Sequence, residues 1–462
     1  MSPDADESAP SRESKPAENQ LTHGPLLRAI LQLSWPMMLG NFLQTAFNII
    51  DMIFVGRLGP DAIAGVSMSG AMIHAVMTLV IGVDMGMRAM VSRFFGSGDR
   101  ELALRVAGQA LLMGGVLTII LASSGIFWRR EFLELLGAAP AVVEQGSGYL
   151  MILFSGVITM VYMFFVSGIL QSIGDARTPM RIGAIAFAVN IVLDPLFIFG
   201  YGPIPALGVK GAALATVLSR GLAGLLLLRA LFTHAEFRLR WHHLQPDFTL
   251  VRRILRIALP GSAQIACYST SDVFATRLVA VFGTAAVAAF GVTGRCVMVV
   301  MIVGFGLGGA TATMVGQNLG ANRADRAERS VWLIAGLYTA FLVIAAGLFF
   351  PYAGEIIRLF TQDAETVAVG TICLRISTLG FFFIPLNLVF GRALQGAGDT
   401  ISPLVMTAFA RLPLLLGLLY ALPRYTDLGI DGLWYGFLLT GIVEGLLKLI
   451  WFQRGKWKTQ RV

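Results

Sequence analysis

Long apolar runs recur from residue 26 to residue 453, each closed by a short polar or glycine-rich stretch. Each run is long enough for the roughly 20 residues that a helix needs to cross a bilayer. Twelve spanning helices are predicted, at 26–55, 63–92, 104–127, 141–168, 179–200, 208–232, 252–280, 286–315, 328–352, 366–390, 402–422 and 430–453. The few polar residues inside these runs follow helical spacing. On the first run Asn41, Gln44, Thr45, Asn48 and Asp51 form a stripe. At the helical angle per residue they fall within about 120° of arc. On the fifth, Asn190 and Asp194 are four apart and share a face. Thr216 lies inside "GAALATVLSRG" on the sixth.

The pattern also repeats. Pro36 and Pro260 are 224 residues apart, and the same shift aligns "GPDAIAGVSMSG" (59–70) with "GTAAVAAFGVTG" (283–294). It aligns "FGSGDREL" (95–102) with "LGANRADR" (319–326), and "LQSIGDARTP" (170–179) with "LQGAGDTISP" (394–403). The chain is a duplication of six runs. An even number gives both halves one orientation, related by a pseudo-two-fold axis along the membrane normal. The halves are 26–232 and 252–453. They are joined by a basic stretch, 233–251, and followed by a short tail, 454–462.

Composition narrows the class. The chain is 56% hydrophobic and 13% charged, against about 25% charged in soluble domains. The fold class is therefore an all-α integral membrane protein. Arginines crowd the loops after runs two, four, six, eight and ten, as at Arg93, Arg100, Arg177, Arg238 and Arg323, and the opposite loops hold fewer. That bias places both termini in the cytoplasm, in a cell (inner or plasma) membrane. It also accounts for the net charge of +8, so no nucleic-acid partner is inferred. Cys267, Cys296 and Cys373 all fall in apolar runs and suggest no disulfide framework. The polar start, residues 1–25, is expected to be a disordered cytoplasmic tail without the apolar core of a signal peptide.

A carboxylate facing lipid would cost at least ~2.5–3.5 kcal/mol. Asp51 and Asp194 are therefore expected to face a shared polar cavity with Asn190 and Thr216. Two carboxylates in poor solvent cannot both stay ionised easily, so the pair can carry a proton. The same oxygens could hold a hard cation such as sodium. Arg220, one turn beyond Thr216, is expected to reach for the cytoplasmic interface. Asp84 and Arg88, four apart, read as a local ion pair. The repeat places Ala275, Leu414 and Leu418 opposite Asp51, Asn190 and Asp194, so coupling is expected in the first half. In the second, Gln264, Tyr268, Ser271 and Asp272 share a face. They suggest an accessory site or, more simply, a satisfied structural carboxylate at Asp272. Pro36 and Pro195 each remove a helix hydrogen bond and can kink their helices.

"LSWPMMLGNFLQTAFNIIDMIFVGRLG", "VSRFFGSGDRELA", "LQSIGDARTPM", "NIVLDPLFIFGYG" and "LGVKGAALATV" together resemble the multidrug and toxic compound extrusion (MATE) family over residues 26–453. The carboxylate pair looks most like the DinF-like branch. The resemblance implies a V-shaped molecule of two six-helix lobes. It would export organic cations and other amphiphiles in exchange for H+ or Na+, with no organic cofactor. It implies a cation site at Asp51, Asn190 and Asp194, walled by Gln44, with Thr216 as an extra ligand, and bending at Pro36. Asn41, Asn48, Gln264, Tyr268 and Asp272 are candidates to line a substrate cavity. A monomer in the bilayer is expected.

Other readings compete less well. A lipid-linked precursor flippase can share this architecture, but its cavity would want clustered arginines, and Arg220, Arg295 and Arg411 are scattered. No HExxH, GxSxG or Asp-rich metal motif argues for an enzyme, and no metal is implied beyond the coupling ion.

Overall fold

The computed structural model describes residues 20–460. Twelve long helices carry the chain: α1 Leu26–Gly56, α2 Pro60–Gly96, α3 Arg100–Phe127, α4 Pro140–Ser155 continued by Val157–Ser172, α5 Arg177–Phe199 and α6 Val209–Thr233. Then follow α7 Phe248–Ala280, α8 Thr284–Gly320, α9 Ala324–Phe349, α10 Ala364–Gly396, α11 Ile401–Tyr425 and α12 Asp431–Gln453. Ten are long and apolar enough to span a bilayer. The two segments of α4, bent by 51°, make an eleventh span. The twelfth, α7, runs 33 residues but carries Arg252, Arg253, Arg256, Asp272 and Arg277. All five are exposed, and the arginines lie within three turns of a helix end, so the polar side chains stay clear of the packed face.

The duplication is visible in the backbone. The break of α4 at Gly156 and the tight turn of α10 starting at Gly380 are 224 residues apart. Gly59 and Gly283 open α2 and α8 with φ of 111° and 99°. Such a conformation is available essentially only without a Cβ. The register then slips. Gly208 and Gly429 precede α6 and α12 with φ of 58° and 53°, and they are 221 residues apart. The second half has thus lost three residues of register before its last helix.

Among the described residues, the halves meet at one end only. Near the C-terminus of α2, Gly96 and Ser92 lie against Gln317 and Gly316 of α8. Gly82 and Gly86 lie against Ala258 and Ile254 of α7. Met38 of α1 fills the space beside Gly306 of α8. Glycine allows this close backbone approach, which drives helix association without a hydrophobic term. Hydrogen bonds cross here as well: Gln317 Nε2 donates to the Ser172 carbonyl at 2.7 Å, and Arg93 Nη2 to the Gln460 carbonyl at 3.0 Å. The start of α1 packs into the core of the second half, and the start of α7 into the core of the first. Further along α1, Phe42, Ile49 and Ile53 are more than half exposed. The lobes are closed at the end carrying the linker and apart at the other.

The end of the segment 1–25, expected to be a disordered tail, is ordered. Residues 1–19 lie outside the described residues, but Gln20–His23 form one helical turn. The reason is a set of donors from the second half: Asn318, Arg323 and Arg326 bond to the carbonyls of Leu21, Thr22 and Gly24. The linker is likewise held down. Gln109 of α3 bonds to the Gln245 carbonyl and to the Asp247 N–H. His243 is buried and meets Glu101 at 3.1 Å, while its Nδ1 accepts from the Arg240 N–H. That fixes the proton on Nε2, so the Glu101–His242–His243 group is a hydrogen-bonded clamp, not a metal ligand set.

Candidate ion-coupling site

α1, α5 and α6 pack together with the first segment of α4 and enclose a polar cluster in the first lobe. Asp51, Asn190, Asp194 and Thr216 are all buried, Asn190 and Asp194 completely. The four-residue spacing on α5 lets Asn190 Nδ2 donate to Asp194 Oδ1 at 3.0 Å. Asp51, from α1, lies within electrostatic range of Asp194. Tyr149, from α4, lies within range of both carboxylates. Four buried oxygens have no hydrogen-bond donor from the protein: Asp51 Oδ1, Asn190 Oδ1, Asp194 Oδ2 and Thr216 Oγ1. Unpartnered buried oxygens are costly. A set of them, two being carboxylate oxygens, suits a proton or a hard cation.

Arg220 departs from expectation. Its head stays inside the lobe, 3.2 Å from Met160 Sδ and stacked over the Phe47 ring at 5.1 Å. It is in electrostatic range of Asp51 but pairs with no carboxylate among the described residues. Arg220 sits mid-helix, too far from either end for the head to leave, and the aromatic face compensates it there. Two carboxylates and one guanidinium leave one negative charge. A small cavity of about 30 Å³ beside Thr216 and Arg220, bounded by the bend at Gly156, has room for a water or two. If the cluster takes up an ion in transport, Arg220→Met should change how many it takes. The dependence of efflux rate on ion concentration should steepen from about first order toward about second, because two charges then need balancing. An unchanged order would remove Arg220 from the charge balance.

Gln44 is a correction. It is exposed, two turns from Asp51, and does not wall the buried cluster, because the lobes have parted at that height of α1. Asn48 is also exposed and Asn41 is half-buried, so the sequence stripe divides into a buried end at Asp51 and an open end. Neither Pro36 nor Pro195 interrupts its helix. Asp84 and Arg88 form the expected ion pair at 2.5 Å, extended by Arg88 to Gln171 at 2.6 Å.

The second lobe holds a cluster that the sequence reading missed. Glu444 of α12, fully buried, takes Lys448 at 2.7 Å, Tyr268 at 2.5 Å, Thr407 at 2.9 Å and Arg411 at 3.2 Å. Gln264 donates to Thr407 and accepts from Gln395. Gln264 and the Tyr268 hydroxyl are thus consumed by a buried network, not presented to a cavity. Asp272 is not a satisfied structural carboxylate: its residue is exposed, near Arg411. The signal was present as an acid and a base four apart in the apolar run "VEGLLKL", a pattern that is costly in a membrane unless paired. Arg411 is carried on a π-helical turn, Ala410–Leu414, opened at Pro413.

Two six-helix halves, closed together at one end, with a buried carboxylate pair in the first, have the architecture of a membrane transporter. The MatE family model matches the chain twice, at residues 36–196 and 260–420. The chain belongs to that family, the multidrug and toxic compound extrusion transporters. A probable multidrug resistance protein NorM of Thermotoga maritima is 28% identical over 442 residues, 94% of each chain. A MOP superfamily transporter from Pyrococcus furiosus superposes with a TM-score of 0.89 at 26% identity, over 97% of this chain and 100% of that one. The outward-facing conformation of a multidrug resistance MATE family transporter superposes at 0.88 and 26%, over 96% and 98%.

Proposed function

We propose that this protein is a secondary multidrug exporter of the plasma membrane. It exchanges organic cations or other amphiphiles for H+ or Na+ at a single first-lobe site. The observation that carries the reading is the group of unpartnered buried oxygens on Asp51, Asn190, Asp194 and Thr216. With Arg220 nearby, their charge is balanced by one monovalent cation or proton. Binding that ion and binding substrate would then compete through the packing of α1, α5 and α6. Purified protein in liposomes, with efflux of a fluorescent organic cation measured under separate pH and sodium gradients, tests it. One of the two gradients should drive efflux, and Asp51→Asn should remove that drive. Export at the parent rate in Asp51→Asn would remove Asp51 from the mechanism.

The arginine-rich loops favour both termini in the cytoplasm, which would make this closed-at-one-end form outward-facing. In a background without Cys267, Cys296 and Cys373, cysteines at the exposed positions Ser97 and Trp241 should react only from inside. One at Tyr201, also exposed, should react only from outside. The reverse pattern would invert the topology. The flippase reading gains no observation, since Arg220 and Arg411 belong to separate clusters.

A further inference from the structure

The two lobes solve the same electrostatic problem in opposite ways. In the first, buried acceptor oxygens outnumber their donors. In the Glu444 cluster of the second, every one is satisfied: Glu444, Asn387, Tyr268 and Thr407 contribute no unpartnered buried oxygen among the described residues. The donor is a side chain. Lys448, itself 1% exposed, has three ammonium hydrogens. They meet three oxygens: Glu444 Oε1 at 2.7 Å, Asn387 Oδ1 at 3.3 Å and Tyr268 Oη at 3.3 Å. The oxygens come from three helices, α12, α10 and α7, so the ammonium sits at their junction. The charge count agrees. Glu444 is in contact with both Lys448 and Arg411, so the cluster holds no negative charge for a free ion to balance.

We infer that the Lys448 ammonium is a tethered cation in a site on the second lobe that has the donor set of an ion site, and that it keeps that lobe from exchanging ions. The site is specific for a primary ammonium, with one carboxylate, one amide and one phenol oxygen as acceptors. Ion exchange is then confined to the first lobe, at one ion per cycle. This last point rests on the proposed function; the identity of the site does not.

The test is replacement of the tether by a free ion. Lys448→Ala removes the ammonium and leaves a channel of its shape. Breaking a buried pair in this way should lower Tm by roughly 5 °C. Methylammonium or ethylammonium, titrated into the full-length protein in detergent, should restore most of that loss. Tetramethylammonium at equal ionic strength should restore none, because it has no N–H to give. Lys448→Met fills the channel and should show no response to any amine. If Lys448→Ala cannot be purified without amine, Glu444→Gln/Lys448→Ala should fold without it: Arg411 loses Glu444 but keeps the Tyr268 ring at 4.9 Å and Asp272 within electrostatic range. A Lys448→Ala protein as stable as the parent, or one that tetramethylammonium restores equally well, overturns the inference. So does a double variant that fails to fold. None of these outcomes depends on the first lobe. Failure of Asp51→Asn to alter transport would therefore sink the coupling proposal while leaving the tethered cation standing.

Discussion

Asp194→Asn is expected to fold, to bind substrate and to export nothing against a gradient. The amide matches the carboxylate in shape and remains within reach of Asn190, which now donates to Asp194 Oδ1 at 3.0 Å. What it loses is the charge that a proton or sodium ion would neutralise. Moving one charge through 100 mV yields ~2.3 kcal/mol, and each pH unit adds ~1.4 kcal/mol. One ion driven by 100 mV and one pH unit can therefore sustain accumulation of an uncharged substrate by roughly five-hundredfold, and of a monovalent cation by roughly tenfold. The variant should equilibrate substrate across the membrane and stop there. Two assays read the prediction: equilibrium binding in detergent, unchanged within a few-fold, and gradient-driven efflux in liposomes, lost. Retained uphill efflux would make Asp194 a strut in the bundle, with its buried cost met by hydrogen bonding alone.

Gly96→Leu is expected to shift the lobes toward the opposite opening. A Cβ at Gly96 would stand 2.1 Å from the Gln317 carbonyl oxygen, a backbone atom that cannot step aside. Across the same crossing, a Cβ at Gly320 would stand 2.0 Å from the Arg93 carbonyl oxygen. Overpacking of this kind costs about 1–3 kcal/mol or more, and only separation of α2 from α8 relieves it. Ser92, buried against Gly316, reports the change. A cysteine there should be nearly unreactive to maleimide in the parent background and about tenfold more reactive or better with Gly96→Leu. Gly70→Leu is the control, because a Cβ there meets nothing within 4 Å. Equal reactivity in the two variants would mean that this crossing is not a gate.

Much of the molecule is dictated locally, and the sequence determined that part. The helices begin and end within a few residues of the apolar runs because a bilayer demands internal hydrogen bonding along each span. The two-fold architecture was legible in the 224-residue repeat, since equal spacing of turns and prolines requires equal spacing of helices. The helical arithmetic put Asn190 and Asp194 on one face, and the Asp84–Arg88 pair closed as its spacing implied. The tertiary structure decided which polar groups meet. Gln44 and Asp51 share a stripe, yet only Asp51 is covered, because α5 and α6 enclose one end of α1 and the separating lobes leave the other open. Arg220 turned inward because Phe47 and Met160, distant in sequence, give its head a place mid-membrane. The Glu444 cluster draws on α7, α10, α11 and α12; the sequence carries the Glu444–Lys448 spacing, but not which residues of the other three helices meet it. Periodicity assigns a side chain to a face. Which charges share that face with it depends on how helices far apart in the chain cross, and that is fixed only when the lobes pack.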